Sequence, residues 1–306
     1  MTNKTLISVV GPTAIGKTSL AISLAKHFNT EIVSADSRQF FKEMSIGTAV
    51  PSTEELEAAS HHFIQHKSIF EPYSVGDFER DALQRLTLLF QKNDIVIMVG
   101  GSGLYVDAVT KGLDKFPETD ESIRTNLNKQ FQAEGIEALK TQLKTLDPDY
   151  YKKVDTANPH RLIRALEVCI SSGKPYSSFL NQEKPERPFK TFTVGITADR
   201  EIIYNRINQR VDLMMESGLL EEVKSLENHK NLNALQTVGY KELFNYLNKE
   251  WILEFSISEI KKNTRRFAKR QLTWFKKNKE TLWIPYNQSA TKTIQVILKE
   301  LHKKSV

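Results

Sequence analysis

The amino-acid sequence predicts an α/β protein whose core is a parallel sheet covered by helices, interrupted by a helical insertion. Three observations carry this. Short continuous apolar runs alternate with helical patterns, as strands buried on both faces require. A glycine-bearing turn joins the first run to the first helix, and strand signals vanish between about residues 117 and 188.

Taken in order, residues 6–10 form the first apolar run, after which Leu20, Ala21, Leu24, Ala25 and Phe28 fall on one 3.6-period face. Residues 31–35 are a second run, closed by Asp36. Helical patterns at 54–59 and 78–90 lead to a third run, 95–99, which ends in Gly100-Gly101-Ser102-Gly103. Helices rich in Gln, Lys and Glu follow, among them 123–131 and 161–170. The alternating, β-branched segment 191–197 returns to the sheet, 281–284 is the last strand and 293–301 a closing helix. The expected organisation is a first part of the core at 1–114, a helical insertion domain at 115–189, and the rest of the core, with a basic C-terminal helix, at 190–306.

Composition narrows the function classes. The 306 residues are 40% hydrophobic and 26% charged, enough apolar material for a sizeable core. No run approaches the ~18 apolar residues of a membrane span, and the N-terminus lacks a charged n-region and a cleavage site, so a cytoplasmic protein without membrane contact is expected. A single cysteine, Cys169, permits no internal disulfide and no Cys-based zinc site. Residues 261–279 hold nine basic and no acidic residues, and the other 287 residues carry net −3. Such concentration of charge on one segment points to a polyanionic partner.

The strongest motif is Gly11-Pro12-Thr13-Ala14-Ile15-Gly16-Lys17-Thr18, a G-x-x-x-x-G-K-T loop between strand and helix. Backbone N–H groups of such a P-loop cradle a di- or triphosphate, Lys17 neutralises it, and the Thr18 hydroxyl ligates Mg²⁺. Which polyphosphate it holds is left open. A nucleotide-hydrolysing P-loop protein adds an apolar strand ending in an acid, yet the run 95–99 ends in glycine and only 31–35 meets one, Asp36. Asp36 is therefore a metal ligand, a general base or an Asx-type turn residue. His62 and His66 have i,i+4 spacing without a third ligand candidate, and Cys169 lies on an apolar helical face. Ile260, Phe267 and Trp274 read as the buried side of a helix, with Lys262, Arg265, Arg266, Lys269, Arg270, Lys276 and Lys277 opposite.

The P-loop, Ser34-Ala-Asp36-Ser37-Arg38-Gln39, Ile46-Gly47-Thr48-Ala49, Val99-Gly-Gly-Ser102-Gly-Leu-Tyr105, Arg161-Leu162-Ile163-Arg164-Ala-Leu-Glu167, Val238-Gly-Tyr240 and Ala268-Lys-Arg-Gln271 resemble, in this order, the tRNA dimethylallyltransferases, the IPP transferase family. The resemblance implies transfer of a dimethylallyl group from dimethylallyl diphosphate to N6 of the adenosine just 3′ of the anticodon. The partners it implies are the tRNA anticodon stem-loop, dimethylallyl diphosphate and Mg²⁺, with the chain acting as a monomer. The P-loop, with Arg210, then holds a diphosphate leaving group. Asp36 falls on the family's base, Ser102 on a hydroxyl position beside the reacting amine, and Thr18 on the metal ligand of the catalytic set. Asp36, Ser37, Arg38, Gln39, Ser102, Arg124, His160, Arg161, Leu162, Ile163 and Arg164 fall on tRNA-contacting positions; the basic helix adds Arg265, Arg266, Lys269 and Arg270. Where the family often shows Tyr, Gly and Lys, this chain has Phe41, Glu43 and Val50. Rival readings are a P-loop kinase for a small hydroxylated substrate, an enzyme prenylating free adenine nucleotides, and a non-catalytic RNA-binding switch; none of the first two uses the basic stripe.

Overall fold

A computed structural model describes residues Lys4–Lys303. They divide into two compact units, one of residues up to Lys111 and from Arg187 onward, the other Gly112–Glu186.

The first unit is built on strands β1 (Thr5–Val10), β2 (Ile32–Ser34), β3 (His61–His62), β4 (Ile95–Val99), β5 (Lys190–Thr197) and β6 (Leu282–Pro285), all parallel, in the order β3-β2-β4-β1-β5-β6. Five of the six answer to apolar runs in the sequence. The two-residue edge strand β3 is too short to give a period, and reading His61 and His62 as part of it requires the tertiary fold. Helices α1 (Lys17–Phe28), α2 (Thr53–Ala58), α3 (Val75–Lys92) and α4 (Gly103–Lys111) connect the first strands. The second unit holds α5 (Glu121–Glu134), α6 (Ile136–Leu146), α7 (Pro148–Tyr151) and α8 (Pro159–Ser172). Back in the first unit follow α9 (Arg200–Glu216), α10 (Leu219–Ser225), α11 (Tyr240–Leu247), α12 (Leu253–Phe275) and α13 (Ala290–Lys303).

Successive residues of β1 serve opposite faces of the sheet, as the two-residue strand period dictates. Ile7 and Val9 join Ile32, Ile97 and the Leu20, Ala21 and Leu24 side chains of α1 in one core. Leu6 and Val10 join Val33, Met98 and the Phe78, Ala82 and Leu86 side chains of α3 in the other. The α3 helix starts at a capping box, in which Ser74 Oγ accepts from Asp77 N at 3.2 Å and Asp77 Oδ2 accepts from Ser74 N at 2.9 Å. A third core joins α9 to α12 through Val211, Leu219, Leu243 and Ile260.

The burial of α12 corrects one expectation. Its inner face is Ser256, Ile260, Ala268, Gln271 and Phe275, whereas Phe267 is 37% exposed. Phe267 points along the same side of the helix as Ile260 but lines an open cleft there, with no element packed over it, while Trp274 is only half-buried. In the second unit, α8 begins with Asn158 and Pro159 and ends at Gly173, whose φ of 66° suits glycine. Its Leu162, Ile163 and Leu166 pack with Leu127, Leu139 and Leu143. Among the described residues no helix is long and apolar enough to cross a membrane.

Candidate active site at the phosphate-binding loop

The loop between β1 and α1 is shaped for an anion before one arrives. Gly16, at φ 101°, turns the chain into α1, and Ala14 is held at φ 62°. The first N–H groups of α1 have no partner within the helix, and with the helix dipole they favour negative charge. Two later helices clamp the loop: Arg206 Nε of α9 donates to Ala14 O at 2.7 Å, and Thr13 N donates to Gln271 Oε1 of α12 at 2.8 Å. Arg210 Nη1 reaches Thr13 Oγ1 at 3.5 Å.

Lys17 Nζ folds back onto Pro12 O at 2.8 Å. Burial pulls its pKa down to about 8, with Asp36 opposing the fall and Arg210 adding to it. Burial likewise lowers Arg210, against the pull of Asp36 and Glu55. These are cations short of anionic partners, which is what a polyphosphate supplies. They line a cleft of about 400 Å³ together with Thr18 and Ser19, and Val50, Pro51, Ile64 and Leu213 give it an apolar wall.

Asp36 follows β2. Its Oδ1 accepts from Arg38 N at 3.2 Å and its carbonyl from Gln39 N at 3.0 Å, so the Asx-type turn is real. The residue does more than close a turn. It lines the P-loop cleft and also a second cleft of about 750 Å³ that contains Ser37, Arg38, Ser102, Lys241, Asn263, Phe267 and Arg270. Thr13, Asp36, Thr48, Ala49 and Arg210 border both, so the two clefts meet at this carboxylate. Ser102 Oγ accepts from Ser37 N at 3.1 Å and lies 3.1 Å from Ser37 Oγ.

Several motif residues act on the walls. Arg38 donates to the carbonyls of Asn233 at 3.2 Å and Ala234 at 2.9 Å, and burial lowers its pKa. Gln39 Nε2 donates to Ala49 O at 2.8 Å. Glu222 accepts from the N–H groups of Ser45, Ile46 and Gly47 and, at 2.6 Å, from the Tyr240 hydroxyl, which ties the Ile46-to-Ala49 loop to the start of α11. Gln271 is the main joint: its Oε1 takes the P-loop and its Nε2 donates to Gly101 O at 2.9 Å. Gly101 must lack a side chain, because a Cβ there would collide with that amide.

The three departures from the family pattern find ordinary partners. Phe41 is buried in the third core, the Glu43 carboxylate accepts from Ser68 Oγ at 2.6 Å and Ile69 N at 3.0 Å, and Val50 lines the P-loop cleft.

The remaining positions sort by what they touch. In the second unit His160 and Arg161 are exposed, and Arg164 and Arg124 lie 3.1 and 3.9 Å from the buried carboxylate of Glu167. Leu162 and Ile163 depart from the expected tRNA contact: they are 0% and 3% exposed, packed into the core of their unit. On α12, Arg266, Lys269 and Arg270 are exposed. Arg265 is half-buried, donating to Asn208 Oδ1 at 2.8 Å and covering the Tyr204 ring at 5.7 Å. Lys261 and Lys262 are paired with Asp212 and Glu259. The clamping roles of Arg206, Gln271 and Glu222 are absent from the sequence reading; Gln271 stood inside a recognised motif, but nothing local ties an α12 amide to a loop 258 residues away. No group of three or more His, Cys, Asp or Glu able to hold a metal occurs among the described residues.

Comparison with known proteins identifies the family. Residues 39–278 match the family described as IPP transferase. The chain is 62% identical over 285 residues to the tRNA dimethylallyltransferase of Christiangramia forsetii, covering 93% of this chain and 94% of that one. It is 59% identical over 304 residues to that of Flavobacterium johnsoniae, covering 97% and 98%. Among solved structures it resembles the full-length tRNA isopentenylpyrophosphate transferase of Bacillus halodurans, with a TM-score of 0.74, 35% identity and coverage of 99% and 98%. It also resembles a eukaryotic dimethylallyltransferase captured acting on tRNA, with a TM-score of 0.82, 25% identity and coverage of 98% and 80%.

Proposed function

The chain belongs to the IPP transferase family, and we propose that it transfers a dimethylallyl group from dimethylallyl diphosphate to N6 of the adenosine 3′ to the anticodon of tRNA, releasing diphosphate. The observation that carries the reading is the meeting of two clefts at one carboxylate: a cationic, P-loop-lined cleft on one side of Asp36 and a polar, aromatic and basic cleft on the other. A diphosphate ester seated in the first points its reacting carbon toward the junction. An adenine entering the second brings its amine there, which requires the base to leave its stack in the anticodon loop.

An exocyclic amine is a weak nucleophile because its lone pair is delocalised into the ring. As the N6 lone pair forms the bond to carbon, the carbon–oxygen bond breaks with its electrons moving to the diphosphate, and Asp36 takes the N6 proton. Base assistance of this kind contributes roughly 10²- to 10⁴-fold. Lys17, Arg210 and the loop N–H groups meet the charge that develops on the leaving group. The donor set at the head of α1 is hard oxygen, so the Thr18 hydroxyl together with diphosphate oxygens fits Mg²⁺, which supplies further charge neutralisation when bound. Ser102 and Ser37, hydrogen-bonded to each other, hold the edge of the second cleft beside Asp36. The exposed Arg266, Lys269 and Arg270 meet tRNA phosphates, and so do Arg124, His160, Arg161 and Arg164 of the second unit. Acting on tRNA, the protein works in the cytoplasm, as a monomer.

Incubation with Mg²⁺, unmodified tRNA and either dimethylallyl diphosphate or ATP, followed by mass spectrometry of nucleosides, tests this. Prenylated adenosine is expected with the isoprenoid and absent with ATP; ATP turnover without prenylated adenosine refutes the reading and restores the kinase.

A further inference from the structure

The mechanism above leaves a half-buried histidine in the P-loop cleft, His61, unused. His61 stands in register with Ile32, and through Ile32 and Ile97 with Ile7. Residues in register across a parallel ladder share a face, so His61 is on the face that carries α1 and the P-loop. Its Nδ1 is 2.8 Å from Ala59 O. A carbonyl oxygen can accept only from an N–H, so the proton of the neutral ring is on Nδ1 and Nε2 presents its lone pair. That Nε2 is buried and has no hydrogen-bond partner among the described residues. A neighbouring histidine, His62, is by contrast satisfied, its Nε2 lying 2.8 Å from Glu31 Oε2. An unpartnered buried ring nitrogen costs stability and calls for a reason.

The surroundings supply one. His61 lines the same cleft as Lys17, Thr18, Asp36, Glu55, Arg206 and Arg210. Glu55 of α2, Asp36 after β2, Lys17 of α1 and the two arginines of α9 are the charged groups facing that space, with His62 beside it on β3. We infer that His61 is a proton-carrying partner of the diphosphate: Nε2 takes up a proton when the diphosphate binds and donates that N–H to a diphosphate oxygen. Without a ligand, burial depresses the His61 pKa, against the pulls of Ala59 O and Glu55, so the ring is neutral near pH 7. A polyanion in the cleft reverses the balance. When the carbon–oxygen bond breaks, the Nε2 proton passes to the departing diphosphate, which leaves with one charge fewer, while the N6 proton goes to Asp36. Water resets both groups, recharging His61 when the next diphosphate binds and deprotonating Asp36.

This role rests on the prenyl-transfer reading of the cleft. Long-range ¹H–¹⁵N NMR of the wild-type protein, with His61 assigned from a His61→Gln spectrum, reads tautomer and charge directly. Inorganic diphosphate is the probe, with and without Mg²⁺. The Nδ1–H tautomer is expected in the free protein, and a titration midpoint raised by about one pH unit or more with diphosphate bound, since one unit is tenfold in the proton equilibrium. By reciprocity the diphosphate affinity of the wild type falls about three- to sixfold more between pH 6 and pH 8 than that of His61→Gln for a one-unit rise, both sharing the Lys17 contribution. A midpoint that ignores diphosphate, or parallel pH profiles for the two proteins, overturns the role of His61. Failure of the wild type to bind diphosphate at all, or to prenylate tRNA, refutes the reading of the cleft instead.

Discussion

Gln271→Met tests whether the P-loop is assembled by α12. Methionine is close to glutamine in volume and leaves α12 packing in place, but it removes both the acceptor for Thr13 N–H and the donor to Gly101 O. Gln271 is 5% exposed. Its bond to Gly101 is buried, so that carbonyl bears the full penalty of an unsatisfied group, about 1–3 kcal/mol; the bond to Thr13 is part-buried, and water can recover some of its loss. The sum is about 3 kcal/mol. In a unit of this size each kcal/mol moves the midpoint by roughly 2–4 °C, so a fall of roughly 6–12 °C is expected in a thermal melt followed by circular dichroism. The same change frees Thr13, which borders both clefts, and inorganic diphosphate binding measured by calorimetry weakens with it. A melt within about 2 °C of wild type with unchanged diphosphate affinity would refute the claim that this side chain joins the two loops.

Asp36→Asn is expected to keep diphosphate and tRNA binding near normal while slowing the chemical step by about 10²-fold or more, read by single-turnover prenyl transfer; an unchanged rate reduces Asp36 to its turn. Lys17→Ala weakens isoprenoid diphosphate binding and Thr18→Ala raises the Mg²⁺ concentration needed, both measured by titration, because one supplies charge and the other a ligand oxygen. The His66 ring sits 5.2–5.4 Å from the rings of Phe40, Phe63 and Tyr73, with both nitrogens buried and unpartnered, and burial holds its pKa below 6.5. The unfolded chain takes up the proton more readily than the folded one, so this contribution to stability is full above about pH 6.5 and is lost as pH falls; urea melts between pH 5 and 7 are expected to show a flatter dependence for His66→Phe. Replacing Arg266, Lys269 and Arg270 together by Gln is expected to flatten the slope of log tRNA affinity against log salt by about two to three units, at roughly 0.7–0.9 per phosphate contact, whereas Arg265→Gln lowers stability through Asn208 and Tyr204 and leaves the slope alone. Parallel salt titrations for the triple variant and the wild type would return the stripe to a solvated face.

Local chemistry was enough to locate five of the six strands and the loop. Runs such as 6–10 and 95–99 are apolar throughout because both faces of a parallel strand are covered, and the P-loop announces itself because its glycine and lysine spacing answers to one contiguous phosphate cradle. The basic side of α12 was equally legible, since helical spacing alone sets Arg266, Lys269 and Arg270 opposite Ile260 and Ala268. What no local pattern contains is the partner of each side chain. Arg265 and Arg266 are neighbours of identical type, yet Arg265 is spent on Asn208 and Tyr204, which α9 delivers from more than fifty residues away. Leu162 and Ile163 sit in a motif that reads as a contact surface, and packing against α5 and α6 buries them. His61 looks like its neighbour His62 until β3 takes its place at the sheet edge, pairs the Nε2 of His62 with Glu31 and leaves the Nε2 of His61 buried without a partner in the wall of the phosphate cleft. Strand and helix periods depend on residues a few positions apart, which sequence displays; hydrogen-bond satisfaction and burial depend on residues brought together only when the whole chain has folded.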